Sequence, residues 1–457
     1  MLFNSFSFLA LLAPALLCYW AARSQRVRLF VLFVASAVFY AFHHWPSVFL
    51  LFATIGVNFL AARAQQRRRS RALLTAVIVA DLGVLFWFKY AAFAIREVVR
   101  GLSLFGLALP EPQWSQWLPL GISFFTFQVV AYQVDVYRRE IPAERSLLVF
   151  AVFKSFFAQL IAGPIVRGKE LLPRLRELAR FEPERFHYGV FLFASGVLLK
   201  IGVADVLRQF VDEAFKAPAG LATTDAWLSL VAFAFQLFAD FWGYSTMARG
   251  IGEMFGVELP LNFAAPYLAD SLQSFWRRWH ITLSQWFRDY VYVPLGGNRA
   301  KAARNLILTM TIAGVWHGAG WTFVLWGALH GVWLAIERRL APSPSPSPSL
   351  RVLRTFGVFV GVCLLWVLFR APTMDVAFAY YARLLLPPYT ANPIVPETLA
   401  IWLIGFAVLH PLLAKWTTDR PRFLAFPVWQ QAAITWLFLL VALGYGGQKY
   451  DFVYFAF

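Results

Sequence analysis

The sequence predicts an all-α polytopic integral membrane protein, and three observations lead there. Apolar residues fill 60% of the 457 positions and charged residues 14%, against about 45–50% and about 25% in ordinary globular proteins. Apolar stretches of membrane-spanning length recur along the chain. The basic residues, behind a net charge of +17, concentrate on alternate connections between those stretches. A soluble core could not hide 47 Phe and 19 Trp side chains, so the solvent must be largely lipid. A disordered chain, a disulfide scaffold and a secreted globular enzyme are excluded. The two cysteines, Cys18 and Cys363, lie in apolar runs and read as small core residues.

A helix that crosses the hydrocarbon needs about 20 mainly apolar residues. Twelve stretches qualify, near 4–22, 27–45, 46–64, 72–95, 117–134, 187–206, 226–245, 303–318, 320–337, 352–370, 399–415 and 428–446. About 12 transmembrane helices are therefore expected. They form one membrane-embedded domain over 1–457, with a core at 118–335, a linker at 341–349 and C-terminal helices in 352–457. A further stretch, 147–164, carries Lys154 and Gln159 and ends in Gly163-Pro164. It is expected to be a re-entrant or broken helix, covered by protein or water. No basic segment precedes the first stretch, which predicts a retained helix and not a signal peptide.

With the N-terminus outside, Lys and Arg divide as 31 in inside segments, 7 in outside segments and 3 within apolar stretches (Lys89, Lys154 and Lys200). Reversing the chain inverts that ratio, and making 147–164 a full crossing spoils it. The expected location is the bacterial cytoplasmic (inner) membrane, with both termini extracytoplasmic. Topology then accounts for the charge, and a nucleic-acid partner is unnecessary. Membrane lipids are the first partner implied.

Two connections are more than loops. Residues 167–186 mix six basic and four acidic residues around Leu171, Leu172, Leu175 and Leu178. They read either as a short interfacial helix or as a solvated connector. The Pro-Ser alternation from Pro342 to Ser349 predicts a stiff, exposed, non-helical linker. No matching halves are visible, which disfavours a transporter built from inverted repeats.

The chemistry concentrates in two segments. On one helix, Ser271–Tyr292 would gather Leu272, Phe275, Trp276, Trp279, Leu283, Trp286, Phe287 and Tyr290 within an arc of about 120°. Arg277, Arg278, Ser284, Gln285, Arg288 and Asp289 would lie opposite. Such a helix is too polar to cross lipid and belongs at the cytoplasmic face. There the residues alone favour an interfacial His280 with its polar tip in water. The second segment, Asn305–Glu337, puts His317 deep in an apolar sequence between Trp316 and Gly318. An ionisable residue at membrane depth is costly and points to function. An interhelical hydrogen bond is the plainer reading of His317, and the preferred one for His330 on the next helix. His43, His44, His187 and His410 read as interfacial or helix-end residues.

Histidine titrates near neutrality, so it can take a proton from an attacking hydroxyl and later return one. No nucleophile elbow, phosphate-cradling loop or metal-ligand spacing accompanies these histidines. No metal and no bound cofactor are expected.

Together, Phe275-Trp-Arg-Arg-Trp-His280, Trp286-Phe-Arg-Asp-Tyr290, Pro294-Leu-Gly-Gly-Asn-Arg299 and Trp316-His-Gly318 resemble the membrane-bound O-acyltransferase family, nearest its alginate O-acetyltransferase branch. Leu118–Phe127, Asp135-Val-Tyr137, Gln159–Pro164, Asn262-Phe and the terminal Phe452–Phe455 extend the likeness. Where the branch usually reads Asp-Phe-Ser-Gly-Tyr-Ser-Asp-Met-Ala, this chain has Trp242 and Thr246 at the Ser and second Asp positions. The resemblance implies a ring of helices around a central channel. It implies that His317 is the catalytic histidine, with His280 as the second, and acetyl-CoA or another acyl thioester as donor substrate.

Arg277, Arg278 and Arg288 would attract the donor's phosphates, beside Trp276, Trp279 and Trp316. Ordinary membrane anchoring would equally explain the arginines. The acceptor implied is an extracytoplasmic polysaccharide or a periplasmic acyltransferase partner. D-Alanyl or longer-chain transfer on the same fold is one alternative. A non-enzymatic polysaccharide or lipid transporter is another, although it leaves the histidine motifs unexplained.

Overall fold

A computed structural model describes residues 1–107, 109–110, 117–340, 347–387 and 398–444. All regular structure among them is helical. Each of the twelve apolar stretches overlaps helical structure, and among the described residues six helices are long and apolar enough to cross a membrane: Ser47–Arg67, Arg71–Lys89, Pro183–Lys216, Thr223–Met254, Pro348–Arg370 and Leu399–Thr418. The described chain divides into two compact units.

The first unit contains residues 1–187 and 251–259. It carries α1 (Phe6–Ala21), α2 (Gln25–Ala41), α3 (Ser47–Arg67), α4 (Arg71–Lys89), α5 (Ala91–Ser103), α6 (Ile122–Arg138), α7 (Leu147–Ser155), α8 (Phe157–Leu160) and α9 (Gly168–Arg176). The predicted stretch 72–95 is divided at Tyr90, where α4 ends and the amphipathic α5 begins. Side-chain amides tie α3, α4 and α6 together. Asn58 donates to Asp81 (3.0 Å), and Gln133 donates to the Asn58 side chain (2.9 Å). Buried polar groups survive in an apolar bundle when they find such partners.

The irregular stretch 147–164 is a broken helix. It stops at Phe156, resumes for the four residues of α8 and ends in the turn before Pro164. Lys154 is wholly buried there, its ammonium 5.0 Å from the centre of the Phe125 ring. Gly121, with φ of 72°, lies against this break: a Cβ on it would stand 2.5 Å from the Leu160 carbonyl oxygen, so only glycine fits. Of the connector 167–186, α9 takes only the first half and buries Leu171, Leu172 and Leu175.

The second unit contains residues 188–250 and 260–457. Most of α10 (Pro183–Val197) belongs to it. That helix runs through a π-helical turn, Leu198–Ala204, into α11 (Asp205–Lys216). The turn holds Lys200, whose buried ammonium pairs with Asp205 (2.7 Å) and with Asp240 (2.9 Å) on α12 (Thr223–Met254). A charge inside an apolar helix is tolerable when paired in this way. Trp242 stacks on Phe238 at 5.0 Å, and the Thr246 hydroxyl bonds back to the Trp242 carbonyl (2.7 Å). Both unusual motif residues are thus packed into the core.

The single amphipathic helix expected over 271–292 does not form. Instead α13 (Leu272–Trp276) ends in a turn, α14 (Ile281–Phe287) restarts beyond it, and a π-helical turn covers Arg288–Tyr292. His280 at the restart has φ of 42°, in the left-handed region. The polarity pattern persists through the break: Leu272, Phe275, Trp279, Leu283, Trp286 and Phe287 are buried, while Arg277 and Arg288 are exposed.

Next, α15 (Ala302–His317) and α16 (Trp321–Leu340) form a tight antiparallel pair. A Cβ on Gly327 would stand 2.2 Å from the Met310 carbonyl oxygen, so the two backbones nearly touch. Residues 341–346 of the Pro-Ser run lie outside the described residues. Its last part is helical, contrary to expectation: Ser347 caps α17 (Pro348–Arg370), and Pro348 takes the first turn, where its missing N–H costs nothing. The short amphipathic α18 (Met374–Leu385) follows.

His410 is not at a helix end. It lies within α19 (Thr398–Thr418), buried, and its Nδ1 donates to the carbonyls of Phe406 (3.2 Å) and Ala407 (3.0 Å). Pro411 has no N–H to offer Ala407, and the imidazole replaces it. The chain continues through α20 (Arg420–Leu424) and α21 (Val428–Gly444). The terminal motif Phe452–Phe455 lies outside the described residues.

Candidate active site

One face of α15 lines a cavity of about 630 Å³. The residues are Leu306, Thr309, Met310, Ala313 and His317, whose three- and four-residue spacing keeps them in one stripe. From Leu306 to His317 the stripe runs about 16 Å at 1.5 Å per residue. Trp276, Ile281, Leu283 and Phe287 from the broken segment face it, and Leu334 and Glu337 come from α16.

The end nearest the start of α15 is polar. Asn298 there accepts hydrogen bonds from Tyr292 (2.7 Å) and Arg338, and Arg277 and Arg288 also line the cavity. Arg288 donates to Asp289 at 2.6 Å. That bond raises the guanidinium's pKa, so it remains charged. Glu337 accepts the backbone N–H groups of Leu272 (2.8 Å) and Gln273 (2.9 Å). It thereby satisfies the open first turn of α13.

His317 occupies the other end, on the last residue of α15. Rings enclose it: Trp316 at 4.8 Å, Phe369 at 5.1 Å and Trp326 at 5.2 Å between centroids. These contacts fix the imidazole's position while leaving it on the cavity wall.

His280 is placed differently. It is fully buried, which corrects the expectation of a polar tip in water, and it packs edge-on against Phe241 at 4.6 Å. It does not line this cavity; its ring lies 6.4 Å from that of Trp316, which in turn packs on His317 at 4.8 Å. Asn262 holds the turn around it. Its side-chain oxygen accepts from the Thr282 hydroxyl (2.7 Å) and N–H (3.3 Å), its amide donates to Ser245 (3.2 Å), and its carbonyl accepts the Ile281 N–H (2.9 Å).

The cavity therefore brings together His317, Trp276, Arg277 and Arg288 of the residues singled out from sequence. Arg278, Trp279, Trp316 and His280 lie outside its lining. His330 is buried one turn from Leu334, edge-on to Trp326 (4.7 Å) and Trp276 (5.2 Å). Sequence reading named Asn298 only as part of the Pro294–Arg299 turn motif, and did not pick out Thr309, Met310, Glu337 or Arg338. Thr309 and Met310 were detectable in principle, since they share the helical face of His317. Arg338 counted only as one more inside charge, and nothing local marks Glu337 as a cap for a distant helix.

A model described as MBOAT, membrane-bound O-acyltransferase family, matches residues 113–369. The chain is 42% identical over 394 residues to the probable alginate O-acetylase AlgI of Azotobacter vinelandii, covering 84% of this chain and 78% of that protein. It is 36% identical over 388 residues to the peptidoglycan O-acetyltransferase of Helicobacter pylori, covering 76% and 71%. It is 28% identical over 273 residues to the teichoic acid D-alanyltransferase of Streptococcus thermophilus, covering 53% and 65%.

Proposed function

The chain belongs to the membrane-bound O-acyltransferase family, and from that premise we propose that it moves an acetyl group from a cytoplasmic thioester, acetyl-CoA, to an extracytoplasmic polysaccharide or a periplasmic acyltransferase partner. One observation carries this reading: one cavity is lined both by arginines, Arg277, Arg288 and Arg338, and by a ring-enclosed histidine, His317. A donor with a phosphorylated head and a reactive thioester tail calls for both. Arg277 and Arg288 receive the head. The thioester then lies at His317, which takes the proton from the attacking hydroxyl and returns it to the departing thiolate. The acyl carbon gains an oxygen bond and loses its sulfur bond. His280 touches neither end of the cavity and acts by holding Trp316 against His317.

The lopsided distribution of Lys and Arg supports this direction of transfer, with the cavity's arginines on the cytoplasmic side of the inner membrane and both termini outside. An impermeant thiol reagent applied to intact cells should not reach a Ser345→Cys variant; labelling would overturn the orientation. The decisive assay for chemistry is radiolabelled acetyl transfer in purified membranes over a donor panel of acetyl-CoA, longer acyl-CoAs and a D-alanyl thioester. Acetyl-CoA should be preferred. A preference for D-alanyl or long-chain donors would replace the acetyl reading on the same fold, and donor-independent polymer export would sink it.

A further inference from the structure

The motif Asp135-Val-Tyr137 takes no part in the chemistry above, and its tyrosine stands at the end of α6. Two arginines are organised around it. Arg69 lies over the Tyr137 ring, 4.4 Å from its centre, and Arg71 donates to the Tyr137 hydroxyl (3.3 Å). A guanidinium stacked on a ring face still has its edge N–H groups for another partner. The turn that carries both arginines is itself tied down. Gln65 accepts from the Ser70 N–H (3.0 Å) and donates to the Ser70 carbonyl (2.8 Å). The Ser70 hydroxyl caps α4 by accepting the Leu73 N–H (3.2 Å). Arg139 joins the end of α6 to this turn by donating to the Gln66 carbonyl (3.0 Å).

Arg67, Arg68, Arg69, Arg71 and Arg139 are exposed, and none of them pairs with a carboxylate among the described residues. Glu140, next to Arg139, pairs with Arg138 (3.8 Å). Like charges gathered this closely repel unless an anion lies among them. The level of the cluster identifies the anion. Both α3 and α4 are long and apolar enough to cross a membrane, and the arginines lie where α3 ends and α4 begins. Only 17% of the apolar window of α4 is buried against the protein. Leu60 on α3 and Val79 on α4 are exposed. They lie about 10–12 Å along their helices from Arg67 and Arg71. A free phosphate would use the arginines alone, whereas a phospholipid would also cover those apolar sides.

We propose that the α3–α4 turn binds the phosphate of an anionic phospholipid: Arg69 and Arg71 hold it, Tyr137 positions both guanidinia, and the acyl chains lie along the exposed apolar sides of α3 and α4. A guanidinium offers two parallel N–H groups to a phosphate, so two of them fixed on one tyrosine make a cradle. Arg67, Arg68 and Arg139 add attraction over about a Debye length. Orientation in the membrane needs no such order, because it depends on how many basic residues a connection carries and not on their mutual geometry. The site is independent of the acyl-transfer reading, and its test does not use the reaction.

The full-length protein, purified in a neutral detergent, is titrated with phosphatidylglycerol while thermal unfolding is followed by tryptophan fluorescence. Phosphatidylglycerol should raise the unfolding temperature saturably. Phosphatidylcholine and inorganic phosphate at the same concentrations should not. Arg69→Gln with Arg71→Gln should raise the half-saturating lipid concentration about tenfold. Arg69→Lys with Arg71→Lys keeps the charge and loses the fork, and should fall between that variant and the unaltered protein. Tyr137→Phe keeps the ring under Arg69 and releases Arg71, and should cost about threefold. Arg351→Gln with Arg354→Gln removes the same charge from the start of α17 and should respond normally.

Lipid carried through purification and counted by mass spectrometry gives a second reading that does not depend on unfolding. Phosphatidylglycerol should remain with the unaltered protein and be depleted from the Arg69/Arg71 Gln variant. Equal stabilisation by phosphatidylcholine, or by inorganic phosphate, would overturn the lipid site. So would an equal loss in the Arg351/Arg354 variant, which would reduce the cluster to general basic charge. No response to phosphatidylglycerol, with none retained, would overturn it outright.

Discussion

His317 and His280 resemble each other in isolation and differ in where the chain puts them. Both are buried, and both pack edge-on against aromatic rings. His317 ends a regular helix whose face lines a cavity. His280 sits at a positive φ in the break between two short helices, is not part of that cavity's lining and packs 6.4 Å from Trp316. Burial and aromatic packing therefore do not by themselves identify a reacting group. Access to the cavity distinguishes them: His317 lines it, and His280 does not.

The largest expected effect belongs to His317. Its replacement by Gln keeps a hydrogen-bonding group and removes the base, and should lower the acylation rate about 10²–10⁴-fold while the protein still accumulates in the membrane. The readout is acetyl content of the polymer per unit of membrane protein. A near-normal rate would reduce His317 to a hydrogen-bonding role and erase the contrast with His280.

His280→Asn comes next. Asparagine tolerates the left-handed backbone, so the turn should survive while the packing on Phe241 and Trp316 is lost. We expect kcat to fall about tenfold to a hundredfold with donor KM little changed, the pattern of misplacement. A raised KM would instead put His280 in contact with donor. Asn262→Ala frees the same turn from its other side. It should imitate that kinetic change and cost about 1–3 kcal/mol of stability for the unmet buried bonds, measured by thermal unfolding in detergent.

On the cavity wall, Arg277→Ala and Arg288→Ala should each raise donor KM, by up to about fivefold, because exposed charge contacts are weak. Unchanged donor dependence in both would assign these arginines to membrane anchoring. His330→Gln should have the smallest effect and keep most activity, since His330 lies behind Trp276 and Trp326 and does not line the cavity.

The sequence by itself determined the solvent, the helical class, the placement of the apolar stretches and the His317 motif. Those follow from composition and local spacing, because a backbone in lipid must satisfy its own hydrogen bonds and has few ways to do so. The polarity pattern of 271–292 was also legible, but its break was not. A helical wheel assumes the helix, whereas Asn262, fifteen residues before the break begins at Arg277, supplies the hydrogen bonds that hold the chain open at His280. His410 was misplaced for a similar reason: Pro411 suggested a helix end, and a side chain supplied the replacement bond. Only the tertiary structure decided which polar residues share a cavity. The α15–α16 pairing brings Arg338 beside the start of α15 and leaves His317 at the other end, and no local pattern encodes that distance. Partners for buried polar groups come from wherever the fold places them, and such long-range pairing is not written in the spacing of residues along the chain.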